Sequence, residues 1–354
     1  MKAAIIGLPK SGKSTLFSAV TGVVIDPYAP PETHSKTVHV PDPRLAHIAE
    51  LGRPKKVTEA TIEFVDIPGC SLDDAKGQEE WRRLLPVVRQ ADLLVVVVRD
   101  FENPAVPAYK DRIDANADFE AVREEMIFAD LDTVTTRIER IEKALKKPTR
   151  THEAEKRELV LLTRCREALE SEAPLSSVIT TDDERRQVSS FAFLTEKPLI
   201  GVRNVSDDRA ATTESWNIPH VQETISLCAS LEAEIAMLDP QDRPAFLADL
   251  GLTEPARDRL IHTCYRAGGV ICFFTMNAEE ARAWTIPKGS TAVEAAAKVH
   301  TDLARGFIRA ETVSYQDLMA HKDMKGAKAA GRVRKEGKNY VVEDGDLLQI
   351  LAST

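Results

Sequence analysis

Long hydrophobic runs are missing from this 354-residue chain. The most apolar, Leu93–Val98, falls far short of the about 20 residues that a membrane-spanning helix needs. The apolar start, Met1-Lys2-Ala3-Ala4-Ile5-Ile6-Gly7, is too short for a secretory signal. Cysteine is scarce: there are five (Cys70, Cys165, Cys228, Cys264, Cys272), an odd number without a C-x-x-C pair. That excludes a disulfide scaffold and a paired-cysteine zinc site, and predicts reduced thiols in a cytoplasmic protein. The histidines form no close pair in a metal-site context. An excess of positive charge is lacking too. Lys and Arg number 47 against 56 Asp and Glu, for a net charge of -9. This argues against a uniformly basic nucleic-acid coat and leaves room for a local basic patch. Internal repeats and low-complexity tracts are absent.

What is present is ordinary globular composition, 43% hydrophobic and 29% charged, in a chain long enough for two or three domains. Candidate strands at Lys2–Gly7, Thr61–Asp66 and Asp92–Val98 alternate with candidate helices at Lys13–Val20 and Glu79–Gln90. Such alternation predicts a parallel sheet covered by helices. Ile127, Leu131, Val134, Ile138, Ile141 and Leu145 then form a heptad seam, closed by Lys146-Lys147-Pro148. A second charged helix carries Leu159, Leu162, Cys165 and Leu169, so the pair reads as a helical hairpin. Strand signals return at Pro198–Val202 and Thr224–Cys228, with helices at Leu231–Leu238 and Glu254–Ala267. The hairpin is therefore an insertion in one α/β domain. The tail predicts a small α/β domain: strand Val270–Thr275, helix Ala292–Arg305, and strands near Asn339–Val342 and Leu347–Ile350.

Gly7-Leu8-Pro9-Lys10-Ser11-Gly12-Lys13-Ser14 matches G-x-x-x-x-G-K-[ST] between a predicted strand and a predicted helix. Glycines let backbone N–H groups wrap anionic oxygens, and the helix N-terminus adds a favourable dipole. Lys13 would reach the β and γ phosphates, and the Ser14 hydroxyl would ligate Mg²⁺. Downstream, Ile62-Glu63-Phe64-Val65-Asp66-Ile67-Pro68-Gly69 reads as a strand ending in D-x-x-G. Asp66 would hold Mg²⁺ through water, and the Gly69 N–H would sense the γ-phosphate. A third segment, Arg203-Asn204-Val205-Ser206-Asp207, resembles the N-K-x-D base-reading motif with valine in place of lysine. The N1–H and exocyclic amine of guanine suit the Asp207 carboxylate. Cys228-Ala229-Ser230 would line the base edge. The candidate site is thus Gly7, Pro9, Lys10, Ser11, Gly12, Lys13, Ser14 and Thr15 around the phosphates. Asn204, Val205, Asp207, Cys228, Ala229 and Ser230 surround the base. Ser14, Thr33 and Asp66 are the metal candidates, with Thr37 a rival to Thr33, and Lys13 and Gly69 are the catalytic candidates.

These segments, in order, resemble the YchF family of Obg-like ATPases within the translation-factor P-loop NTPases. The likeness includes GLPKSGKSTLF at 7–17, VPDPRL at 40–45, EFVDIPG at 63–69, ADLDTV at 129–134 and EKPLIGVRNV at 196–205. It continues through FLADLGL at 246–252, RAWTIPKGSTAVEAA at 282–296, HTDLARGFIRAE at 300–311 and EGKNYVVEDGD at 336–346. The resemblance implies an α/β P-loop NTPase domain over 1–100 and 195–268 and a coiled-coil insertion over 101–194. Residues 269–354 would form a ubiquitin-like TGS domain. It implies hydrolysis of ATP, often in preference to GTP, and association with ribosomes or RNA.

Departures from the family pattern sharpen the expectations. Its D-x-A-G-L appears here as Asp66-Ile67-Pro68-Gly69-Cys70, and its N-x-x-E as Asn204-x-x-Asp207. Lys76-Gly77-Gln78-Glu79-Glu80-Trp81 stands where several glycines are usual, which predicts a stiffer switch. The first switch, Tyr28-Ala29-Pro30-Pro31-Glu32-Thr33, is shortened. Cys70 occupies the position of the water-orienting glutamine of Ras-like enzymes, which predicts slow intrinsic hydrolysis. Gln78 and Glu79 are the nearby polar candidates for that role. Finally, Lys322–Lys338 holds seven basic residues against two acidic ones, a patch suited to neutralising the phosphates of RNA. Multiple-turnover phosphate release separates an NTPase switch from the other reading, a nucleotide-bound adaptor with negligible turnover.

Overall fold

The computed structural model describes residues 1–26, 29–146, 152–211 and 216–353. In chain order its first half comprises β1 (Lys2–Ile6), α1 (Lys13–Thr21), β2 (His34–His39), α2 (Pro43–Gly52), β3 (Lys56–Thr58) and β4 (Thr61–Asp66). Then come α3 (Ala75–Arg89), β5 (Leu93–Asp100), α4 (Ala115–Leu145), α5 (His152–Glu170), α6 (Asp182–Val188), β6 (Leu199–Val205) and β7 (Glu223–Leu227). The remainder runs α7 (Ala229–Met237), α8 (Arg243–Asp249), α9 (Ala256–Ala267), β8 (Val270–Met276), β9 (Glu280–Pro287), α10 (Ala292–Val299) and α11 (Thr301–Arg305). It closes with β10 (Phe307–Ser314), α12 (Tyr315–His321), α13 (Met324–Ala329), β11 (Arg334–Glu336) and β12 (Asp346–Ala352). None of the described helices is long and apolar enough to cross a membrane.

The chain divides into two compact units. One contains Lys2–Lys36 and Phe64–Pro255; the other contains Met1, Thr37–Glu63 and Ala256–Thr354. In the first, β5 is apolar on both faces, as a parallel strand covered on both sides must be, and its residues Leu93–Val98 are fully buried. It pairs in parallel with β1 and β6, and β6 pairs in parallel with β7. The sheet order is β2-β4-β1-β5-β6-β7. Ile6, Val96 and Val98 of the sheet pack against Trp81 and Val88 of α3 and Phe119, Val122 and Met126 of α4. Burying each such large side chain contributes about 1.5–3 kcal/mol.

The long helix α4 serves two cores in succession. Its first half rests on the sheet. Beyond Ile127 the heptad seam takes over, with Val134, Ile138 and Ile141 buried against Leu161, Leu162, Cys165 and Leu169 of α5. Leu131, Leu145 and Leu159 lie at the margin of that seam. The expected stop at Lys147-Pro148 lies outside the described residues; the last helical residue is Leu145. Where α4 passes from one core to the other, Asp130 is fully buried. Its carboxylate accepts from Arg89 Nη1 (2.7 Å), the Leu194 N–H (3.1 Å), and the Thr195 N–H and Oγ1 (2.9 Å each). One carboxylate thus fastens α3, α4 and the return to β6.

The second unit holds a mixed sheet of order β11-β10-β12-β8-β9-β3. β8/β9 and β10/β12 are antiparallel, whereas β12/β8 and β3/β9 are parallel. Ala295 of α10 packs on Ile271, Phe273, Ile286 and Leu348 of the sheet. Three of the predicted elements differ from expectation, and others, β2, β3, β9, β10 and β11 among them, were not predicted. α3 begins at Ala75, four residues early, because the Asp74 side chain accepts from the Gly77 N–H and caps it there. The helix expected over Ala292–Arg305 is broken at His300, whose extended backbone ends α10 while its ring caps α11. The strand expected near Asn339–Val342 is a single bridge from Val341 to Thr291.

Candidate functional site

The turn from β1 into α1 is shaped by two glycines. Gly7 has φ 149°, and a Cβ there would lie 2.3 Å from the Val97 carbonyl oxygen. Gly12 has φ 91°, and a Cβ would lie 2.1 Å from the Asn204 amide nitrogen. Neither position accepts a side chain. Between them Lys10 is held at φ 63°, a strained conformation of the kind that clusters at ligand clamps.

Lys13, the first residue of α1, is 5% exposed, and its Nζ donates to the Leu8 carbonyl at 2.7 Å. Burial pulls its pKa down from 10.5 to about 8, against the opposing charges of Asp66 and Cys70. The next residue, Ser14, donates its hydroxyl to Asp66 Oδ2 at 2.6 Å. Asp66 ends β4 and is 2% exposed. Burial raises its pKa, while the Ser14 hydrogen bond, Lys13 and His34 act the other way. Its other oxygen, Oδ1, is buried and has no hydrogen-bond partner among the described residues. A hydroxyl beside a carboxylate with an unused buried oxygen is an all-oxygen donor set, which fits a hard cation such as Mg²⁺. Gly69 presses on the same loop: a Cβ there would sit 2.6 Å from Lys13 Nζ and 2.9 Å from Pro9 Cα.

Asn204, at the end of β6, is buried. It donates to the Ser11 carbonyl (3.0 Å) and accepts from the Ala229 N–H (3.0 Å). Its amide therefore ties the loops after β1, β6 and β7 together. Most of these residues line a cleft of about 1180 Å³ at the carboxyl ends of the parallel strands. That is where doubly wound sheets bind ligands. Pro9, Lys10, Gly12, Lys13, Ser14, Thr15, Asp66, Gly69, Asn204, Val205, Asp207, Cys228 and Ser230 line it. Gly7, Ser11 and Ala229 are not in the lining and serve as backbone support. Asp207 is exposed, and its Oδ1 accepts from the Asp208 N–H.

Thr33 is exposed and outside the lining, whereas its neighbours Glu32 and His34 line the cleft. Thr37 lies exposed on β2, and Tyr28 of the first switch is outside the described residues. Cys70 is 6% exposed and turned away: its Sγ lies 3.7 Å from the Pro68 carbonyl, beside an apolar cavity of about 20 Å³ that includes Trp81 and Val122. Burial raises its pKa, Glu80 adds to the rise, and Lys13 opposes it. Gln78 donates to the Leu72 carbonyl, and Glu79 pairs with Arg83. Neither lines the cleft. The sequence motifs missed Phe101, Glu102, Asn103 and Val106, which follow β5 and also line the cleft. The usable signal was positional: this loop leaves the carboxyl end of the central strand.

A doubly wound sheet with a parallel centre, a glycine-shaped loop with a buried lysine, and a hydroxyl at the start of α1 paired with a carboxylate at the end of β4 define a P-loop nucleoside triphosphatase. Two family models match the chain: one described as "50S ribosome-binding GTPase" over residues 2–164, and the YchF GTPase C-terminal model, described as "Protein of unknown function (DUF933)", over 270–352. The curated "Ribosome-binding ATPase YchF" of Bacillus subtilis (strain 168) is 39% identical over 98% of each chain. That of Escherichia coli O157:H7 is 36% identical over 99% of this chain and 98% of its own. The solved structure of the Schizosaccharomyces pombe YchF GTPase superposes with a TM-score of 0.83 at 26% identity, covering 99% of this chain and 97% of that one. The chain belongs to the YchF family.

Proposed function

We propose that this protein is a Mg²⁺-dependent triphosphatase that binds ATP or GTP, hydrolyses it slowly, and works in the cytoplasm as a ribosome- or RNA-associated switch. The observation that carries the reading is the conjunction of buried Lys13 with the Ser14–Asp66 pair at the floor of one cleft. Lys13 supplies the counter-charge to the β and γ phosphates, and the backbone N–H groups of Lys10–Ser14 hold their oxygens. Ser14 and Asp66 would hold Mg²⁺, which when bound neutralises phosphate charge. Thr33 would join them only by moving, since it lies outside the cleft lining. Gly69 leaves room for a phosphate next to Lys13, and its N–H reports the presence of that group. The residues of the cleft supply position and charge rather than a base, because Cys70 faces the core.

The ribosome reading draws on the names of the relatives and on a basic surface. Within Lys322–Lys338, Lys328 pairs with Glu311, Arg332 with Asp317, and Arg334 with Glu336 and Asp346. Lys322, Lys325, Lys335 and Lys338 have no ion-pair partner among the described residues, and remain available to phosphates. We assign this surface to a TGS domain over 269–354. Multiple-turnover phosphate release with and without ribosomes tests the proposal. Turnover that rises with ribosomes supports the switch. Saturable nucleotide binding with no release under either condition selects the adaptor, which the inward-facing Cys70 favours.

A further inference from the structure

We propose that the last two residues of β5, Arg99 and Asp100, are positioning residues that set base selectivity by holding the two segments that line the cleft after β5 and β6. The inference rests on reading that cleft as the nucleotide site, and it assigns a role to side chains that no motif includes. Arg99 is 4% exposed and pairs with no carboxylate among the described residues. Its guanidinium instead donates to the carbonyls of Phe101 (3.1 Å), Val106 (2.8 Å) and Pro107 (3.4 Å). It also stacks over the Phe101 ring at 4.5 Å. A buried cation spent on backbone carbonyls fixes the path of the loop between them. That loop contributes Phe101, Glu102, Asn103 and Val106 to the cleft.

Asp100 does the corresponding work on the segment that ends β6. Its Oδ2 accepts from Arg203 Nε and from Arg209 Nη1 (3.1 Å), and its carbonyl accepts from Arg209 Nη2. Arg203 directly precedes Asn204, and Arg209 follows Asp207 by two residues. The base-reading segment Asn204–Asp207 is therefore gripped at both ends by one carboxylate. The strand register adds to this grip, pairing Arg99 with Asn204 and Asp100 with Val205. Without the Asp100 carboxylate the two guanidiniums would lose the acceptor that bridges them. The segment would spread, and Asp207 would lose its fixed position. Selectivity between bases depends on such fixed acceptors, because a misplaced one is satisfied by water and discriminates nothing. The phosphate loop has its own brace in the Lys13–Leu8 hydrogen bond, so the triphosphate end should not respond.

The test is calorimetric titration of the full chain with Mg²⁺·ATP, Mg²⁺·GTP and inorganic tripolyphosphate, in the wild type, Asp100→Asn and Arg209→Gln. Both substitutions are expected to leave tripolyphosphate affinity within about twofold. They should weaken the preferred nucleotide about tenfold and bring the ATP-to-GTP affinity ratio towards one. Tripolyphosphate binding also certifies that each variant is folded at the loop. Arg209 is a third exposed and is the safer of the two substitutions if Asp100→Asn fails to fold. An unchanged ratio in Arg209→Gln overturns the proposal. So does a parallel loss of tripolyphosphate binding, which would mean a merely structural role. If the wild type binds none of the three, the nucleotide reading itself falls.

Discussion

Lys13 shows what the site costs the fold. A pKa of about 8 against an ordinary 10.5 means that burying this ammonium costs about 3 kcal/mol at neutral pH. The sign follows from linkage. The folded state releases its proton more readily than the unfolded chain. The penalty is therefore complete below about pH 8, and stability rises with pH from there towards 10.5. Lys13→Met removes the penalty and loses one hydrogen bond, of about 1 kcal/mol, to Leu8. Urea unfolding at pH 7 should find the nucleotide-free variant about 1–2 kcal/mol more stable than the wild type. The stabilisation that ATP confers should vanish. A less stable variant would show that the charge is not strained. Gly69→Ala acts at the same contact. Its methyl would press on Lys13 Nζ and the Pro9 backbone, overpacking of about 1–3 kcal/mol. A fall in ATP affinity of about tenfold is expected, and affinity equal to wild type would mean that the turn does not abut the phosphate site. Lys13 and Gly69 were legible because their motifs are short and contiguous. The direction of the Cys70 side chain was not, since the apolar space that receives it is built from β1, α3 and α4.

At the scale of elements, local signals placed most helices and the buried parallel strands. Non-local pairing hid several of the strands, and short helices such as α6, α8, α12 and α13 were missed as well. β3 has only three residues, and it becomes a strand by pairing Lys56–Thr58 with Glu280–Arg282, more than two hundred residues away. Nothing within Lys56–Thr58 announces that partner. His300 looked like helix interior because Ala292–Val299 and Thr301–Arg305 are both good helix formers. The extended backbone at one residue is a tertiary choice. The heptad seam of α4 was plain, whereas the anchoring of the hairpin by Asp130 was not. Asp130→Ala would leave the partly buried Arg89 without its counter-ion and free two backbone N–H groups. The expected loss is about 3–5 kcal/mol in equilibrium unfolding. A loss below 1 kcal/mol would remove this carboxylate as the anchor of the insertion.

For the whole molecule, the local charge of Lys322–Lys338 stands out against a net charge of -9. Binding of RNA by this surface should weaken steeply with salt. Charge reversal at Lys322, Lys325, Lys335 and Lys338 together should abolish it, while Lys328, engaged with Glu311, should matter less. Salt-independent binding in a filter or anisotropy assay would exclude the phosphate contact. The fold class was readable from the alternation of strands and helices and from the order of the motifs. The division into units was less so, because Thr37–Glu63 groups with the C-terminal unit although both of its flanks run into the cleft-bearing one. The central claim, that the cleft above Lys13 grips a nucleoside triphosphate with its metal, is tested most directly by titrating the purified full chain with ATP and GTP, with and without Mg²⁺. One saturable site per chain is expected, tightening with Mg²⁺ and disappearing in Lys13→Ala. Equal affinity in Lys13→Ala, or no saturable binding in the wild type, would contradict it.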